Sequence, residues 1–258
     1  MDGLNRLFTF GCSYTGCWFA TWADLIGPNF KEYYNFGRGG ACNTYITNKF
    51  IEVDKLLNFN EQDYVIVMFT GISRFSFFNK DGWVCNGNVY HPGIDKGFVD
   101  NMWSIDWGVY NTWVAANTIK TILDLKKTKY RFFSSLDNSI VYSSFYEEIK
   151  EPTKKCYEEF MNLLDDKESM DTWKNKRYTY PKDYYRFEHQ QHEDGHPTQL
   201  MHYEFIKEKL PEFNTDKTKE IFELAEKSLD LRDHGTQAES FYKNLGKPYN
   251  KALNYTLF

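Results

Sequence analysis

Apolar residues in the first seventy positions fall into short unbroken runs and helical stripes, and the two kinds alternate. Arg6 to Phe10 is short, apolar and aromatic, which predicts a strand running into the turn Gly11-Cys12-Ser13-Tyr14-Thr15. Trp18, Trp22, Leu25 and Ile26 share one face of a helix near Trp18 to Ile26, which Gly27-Pro28-Asn29 ends. Glu32 to Phe36 predicts a second strand, closed by Gly37-Arg38-Gly39-Gly40. Asn43 has the residue type of an N-cap for a helix to about Leu57, with Ile46, Phe50, Val53 and Leu57 on its buried side. Tyr64 to Phe69 is apolar throughout, the pattern of a parallel strand covered on both faces.

This rhythm predicts an α/β fold, a three-layer α/β/α sandwich with a mostly parallel central sheet and right-handed crossovers. In such a sheet the loops at the strand C-terminal ends carry the chemistry. Asn79 to Met102, with several Gly and aromatic residues, reads as a long excursion. Trp107 to Lys127 reads as a long helix and Tyr130 to Phe133 as a strand. Asp137 to Gln191 reads as irregular and aromatic, with a short helix near Lys154 to Leu164. Thr198 to Leu210 predicts a helix stopped by Pro211, and Thr218 to Leu229 an amphipathic one. The implied organisation is an α/β domain over 1–212, with aromatic-rich insertions at about 79–106 and 137–190, then a helical extension over 213–258.

Composition narrows the class. A chain of 258 residues builds a core that needs no disulfide or metal staple. With 41% hydrophobic and 26% charged residues it is globular rather than disordered. A net charge of −5 argues against electrostatic capture of nucleic acid. No apolar run approaches the ~20 residues of a membrane helix. The N-terminus lacks the basic and apolar regions of a signal peptide, and five Cys without a Cys-x-x-Cys pair suggest reduced thiols. Both predict a cytoplasm-like compartment.

Two residues carry the candidate chemistry. Ser13 sits in a turn after the first strand and ahead of the predicted helix, where the hydroxyl is lifted from the sheet edge and backbone N–H groups can face an oxyanion. A serine nucleophile needs a base, and His196 in Glu193-Asp194-Gly195-His196-Pro197-Thr198 is the best candidate, with an adjacent carboxylate to orient its imidazole. The bland reading of Ser13 is a helix N-cap. His192-Glu193-Asp194-Gly195-His196 also spells the zinc-protease signature. That chemistry needs both histidines on one helical face, whereas Gly195 weakens a helix and Pro197 pushes His196 from the α region. His189 adds another imidazole to the same stretch. That leaves room for adventitious metal binding but disfavours a zinc protease. Trp83 and Tyr90 in the excursion could stack on a sugar ring, though such aromatics more often fill a core.

The same motifs, taken in order, resemble the SGNH (GDSL-like) hydrolases. Gly11-Cys12-Ser13-Tyr14-Thr15 resembles the Gly-Asp-Ser first block, with Cys12 in place of the Asp. Asn35-Phe36-Gly37-Arg38-Gly39-Gly40 resembles the second block, which places the oxyanion glycine at Gly40. Thr70-Gly71-Ile72-Ser73-Arg74 falls where the family has Gly-x-Asn-Asp, so Ser73 replaces the oxyanion-binding Asn and Arg74 the Asp. Asp194-Gly195-His196-Pro197, with His202 on the helix beyond, resembles the last block. The family's usual Asp-x-x-His spacing selects Glu193 as the acid; the Asp-x-His spelling of some relatives selects Asp194, the preferred reading. The four blocks span about Leu7 to Leu210.

The resemblance implies a flavodoxin-like sandwich and a cofactor-free serine esterase. Ser13 is the nucleophile, His196 the base and Asp194 the orienting acid. The backbone of Ser13 and Gly40, aided by Ser73, forms the oxyanion site. Arg74, Asn43 and Glu193 are further candidate site positions. The implied substrate is a small ester or an acylated carbohydrate, such as one bearing an O-acetyl group. The altered third block leaves a competing expectation, an SGNH-like binding or virion structural module with weakened catalysis. The Lys- and Asn-heavy composition and the Gly-Ile-Ser-Arg spelling are similar to hydrolase-like proteins of phages and large viruses, for which a virion-associated location is the alternative.

Overall fold

The structure is a computed structural model in which residues 5–17, 19–92, 94–177 and 196–229 are described. Its strands are β1 (Arg6–Gly11), β2 (Glu32–Gly37), β3 (Asp63–Phe69), β4 (Arg74–Asn79), β5 (Gly82–Asn88) and β6 (Lys129–Ser134). Four of them form one parallel sheet in the order β2-β1-β3-β6, while β4 and β5 pair with each other as an antiparallel hairpin. Val65 through Phe69 are wholly buried, which explains the unbroken apolar run at those positions of β3.

Successive side chains on a strand point to opposite faces, so each strand feeds two helical layers. On one face Phe10 meets Phe50 of α2 (Asn43–Leu57), and Phe69 meets Phe160 of α6 (Glu151–Leu163). The helix α4 (Ile105–Leu125) packs between α2 and α6. On the other face Phe133 meets Phe205 of α8 (Gln199–Lys209), and α8 packs with α1 (Trp22–Ile26) and α9 (Asp216–Leu229). Ile221 and Ala225 of α9 belong to the same buried cluster as β1 and β3, so this helix helps close the core. Among the described residues no helix is long and apolar enough to cross a membrane.

Several sequence expectations need correction. The first helix starts only at Trp22; the Thr21 N–H donates to Asp24 Oδ2 at 2.9 Å and fixes the start there. Trp18 lies outside the described residues. Asn43 is not the N-cap of α2: Cys42 holds that place, with its Sγ accepting from the Tyr45 N–H at 3.5 Å. The excursion from Asn79 holds the second strand of the hairpin and the short helix α3 (Lys96–Met102). In the segment expected to be irregular, α6 is the helix foreseen near Lys154 to Leu164, starting three residues earlier, while α5 (Asn138–Ser144) and α7 (Met170–Arg177) were not foreseen. Residues 178–195 and those from 230 onward lie outside the described part.

Candidate active site

Four loops leave the C-terminal edge of the sheet and meet. After β1 the chain makes one tight turn, in which the Thr15 and Gly16 N–H groups both donate to the Cys12 carbonyl at 3.0 Å. No helix follows directly, contrary to expectation, because α1 starts nine residues after Ser13. The turn is clamped to the exit of β2. Asn35 Nδ2 donates to the Thr15 carbonyl at 2.8 Å, its Oδ1 accepts from the Gly37 N–H at 2.9 Å, and the Arg38 N–H donates to the Gly11 carbonyl at 3.1 Å. Below it, Asp24 is buried and accepts from the Tyr33 hydroxyl at 3.0 Å. Burial, reinforced by the Asp24 charge, pushes the Tyr33 hydroxyl well above its ordinary value, so it stays a donor.

Ser13 and His196, 183 residues apart, are brought together. Ser13 Oγ lies 2.6 Å from His196 Nε2, and Ser13 is only 7% exposed. The N-cap reading of Ser13 gives way, since its hydroxyl is engaged by an imidazole. His196 is placed by α8, whose N-cap Thr198 accepts from the Met201 N–H at 3.3 Å. Phe205 seats that helix against Phe133 and Trp173. Tyr14 packs edge-on to the imidazole with centroids 5.4 Å apart, and its hydroxyl donates to Asp171 Oδ1 at 3.1 Å. Lys174, buried at its ammonium end, pairs with the same oxygen at 2.9 Å. This flank of the histidine carries no spelling that sequence reading would single out. Asp194 and Glu193, the competing acids, lie outside the described residues, as do His189 and His192. His196 itself precedes α8 rather than sitting within a helix, so the two-histidine helical zinc motif is not formed at it. His202 is buried within α8.

Among the described residues neither the Ser13 N–H nor the Gly40 N–H has a hydrogen-bond acceptor. Ser13 is buried, where an unpaired N–H costs about 1–3 kcal/mol, and Gly40 is half-buried. Gly40 has φ +73°, and a Cβ there would run into the Cys85 carbonyl of the hairpin. Its own carbonyl accepts from the Gly87 N–H at 3.0 Å.

The remaining candidates fall into different roles. Ser73 is buried, and its Oγ accepts from Asn88 Nδ2 at 3.0 Å. Asn43 has its amide fully used: Nδ2 donates to the Thr70 carbonyl and Thr112 Oγ1 at 3.0 and 2.9 Å, and Oδ1 accepts from the Thr70 N–H at 2.8 Å. It joins α2, β3 and α4 rather than facing a ligand. Arg74 lines a small cleft at the start of α2 with Thr44, Gly71, Trp107 and Asn111; none of Ser13, Gly40 and His196 lines it. Cys12 is buried, with its Sγ 3.4 Å from Ser135 Oγ. Trp83 packs edge-on against Tyr45 and Phe78, whereas Tyr90 is 59% exposed.

Comparison with protein-family models, with curated proteins and with solved structures returns no match.

Proposed function

We propose that this protein is a serine ester hydrolase. The observation that carries the reading is the 2.6 Å approach of Ser13 Oγ to His196 Nε2 at the C-terminal edge of a parallel sheet. With Nε2 as acceptor, His196 takes the Ser13 proton while Oγ adds to the ester carbonyl carbon. The carbonyl oxygen becomes the oxyanion and is met by the Ser13 and Gly40 N–H groups. His196 then hands its proton to the departing alkoxide, which leaves as the alcohol. Water, deprotonated by the same imidazole, cleaves the acyl-serine and regenerates Ser13 with release of the acid. The SGNH-like order of motifs supports this assignment, with Asp194 as the acid that orients His196. An acyl group on a carbohydrate is the substrate class we favour, supported by the exposed ring of Tyr90 on the segment that follows the hairpin.

A fluorophosphonate probe and a short-chain aryl ester test the reading together. The wild type is expected to label at Ser13 and turn over the ester. Ser13→Ala and His196→Ala should each lower kcat by about 10⁴–10⁶-fold, and the double variant should cost little more, because the two act as one unit. Wild type that neither labels nor turns over any ester would instead favour a non-catalytic binding module.

A further inference from the structure

We propose that Asn88, on the hairpin, is a positioning residue that turns the Ser73 hydroxyl into a third oxyanion donor; this rests on the esterase reading above. A serine hydroxyl has one proton and two acceptor lone pairs, so whatever donates to it decides where its proton can go. Asn88 Oδ1 accepts from the Tyr90 N–H at 2.9 Å, which settles the orientation of the amide and leaves Nδ2 facing Ser73. Nδ2 then donates to Ser73 Oγ at 3.0 Å. The Ser73 proton must therefore point elsewhere, and among the described residues no group accepts it. A buried hydroxyl, 4% exposed, thus keeps its proton for a ligand. Accepting one hydrogen bond also polarises the hydroxyl and strengthens the one it gives.

The same strand end ties Ser73 to the other donor. The Gly87 N–H holds the Gly40 carbonyl at 3.0 Å, and the Val89 N–H holds the Ser73 carbonyl at 2.9 Å. Three successive residues, Gly87, Asn88 and Val89, therefore grip both loops. Those loops leave β2 and β3, the strands on either side of β1, which leads into the turn with Ser13. Asn88 acts through Ser73 and needs no contact with the substrate.

The test is a double-variant cycle read by kcat, KM and titration of active serine with the fluorophosphonate probe. Asn88→Ala should lower kcat about 10-fold and Ser73→Ala about 10²-fold, with KM within about twofold of wild type. In a Ser73→Ala background, Asn88→Ala should change kcat by less than about twofold. Asn88→Asp should be worse than Asn88→Ala, by roughly another 10-fold, because a carboxylate draws the Ser73 proton toward itself. A hairpin that merely loosens would not reproduce that order. Asn88 variants with wild-type kcat, or an Asn88→Ala loss that persists unchanged without Ser73, would overturn the proposal while leaving the esterase reading intact. Wild type that neither labels nor turns over removes both.

Discussion

At Gly40 a positive φ coincides with a neighbouring backbone carbonyl, that of Cys85, where a Cβ would have to stand. A backbone atom of a paired strand cannot swing aside as a side-chain tip can, so the loop must move instead. The left-handed conformation adds about 1–2 kcal/mol for any residue with a Cβ. Gly40→Ala should therefore lower stability by about 1–3 kcal/mol and, by displacing the N–H, kcat by about 10²-fold. Gly39→Ala is the control: no atom stands within 4 Å of its Cβ, and both quantities should stay near wild type. Urea midpoints and ester turnover measure the two effects, and equal behaviour of the two variants would remove Gly40 from the site. Ser13 and His196, which the fold brings together, were readable as polar residues in the turn after an apolar strand and in a polar loop before a helix, whereas Gly40 was named only through the resemblance of its motif. Asn88 was not readable, since one asparagine in a Gly- and aromatic-rich stretch carries no spacing that distinguishes it.

The elements themselves were readable where burial is complete on both sides. β1 is mostly apolar and β3 is unbroken apolar from Val65 to Phe69 because helices cover both faces, and that pattern survives without knowledge of the partners. The hairpin lacks such a signal: β4 and β5 pair only with each other, and a register shift between Arg74 and Ser76 breaks the alternation. Its Asp81-Gly82 turn was the clue available. The helices α5 and α7 are seven and eight residues long, too short for periodicity to stand out. Asn43 shows how a correct helix can carry a wrong cap. Cys42 takes the capping place, and the Asn43 amide stitches the start of α2 to the end of β3 and to α4. Asn43→Ala would leave the buried Thr70 N–H and carbonyl without partners, at a cost of about 2–4 kcal/mol. The expected result is a lower urea midpoint with an unchanged slope, and near-normal kcat at a temperature where the variant is folded. A kcat that collapses in the fully folded variant would return Asn43 to the site.

Across the whole molecule, the approach of His196 to Ser13 depends on how firmly α8 is held to the sheet, because His196 lies three residues before that helix and Ser13 in the turn that leaves β1. The far end of α8 is fixed by charge. Lys209 Nζ lies 2.6 Å from Asp166, 3.1 Å from Glu168 and 3.1 Å from Glu208, and Lys176 reaches Glu168 at 3.0 Å. Partial burial pushes the Glu168 carboxyl up, but hydrogen bonds from Lys176 and Lys209 outweigh it and hold the group below its ordinary value. Glu208 behaves alike: burial raises it, and bonds from Trp173 and Lys209 bring it below. A carboxylate depressed in the folded state adds stability that is present above its unfolded value, about 4.3, and is lost as pH falls through the folded one. Stability should therefore decline below about pH 4.5, and the hold on α8 with it. Lys209→Met removes the common partner. Because these pairs are part-exposed and screened, the loss at pH 7 should be modest, about 1–2 kcal/mol. The variant should then lose less on acidification, so that urea curves of the two proteins converge toward pH 3. Ester turnover at pH 7 should fall in proportion to the loosened α8, not to any change at Ser13. Parallel stability curves from pH 7 to pH 3 would show that the apolar seat of Phe205 on Phe133 and Trp173 holds the helix without the ion pairs.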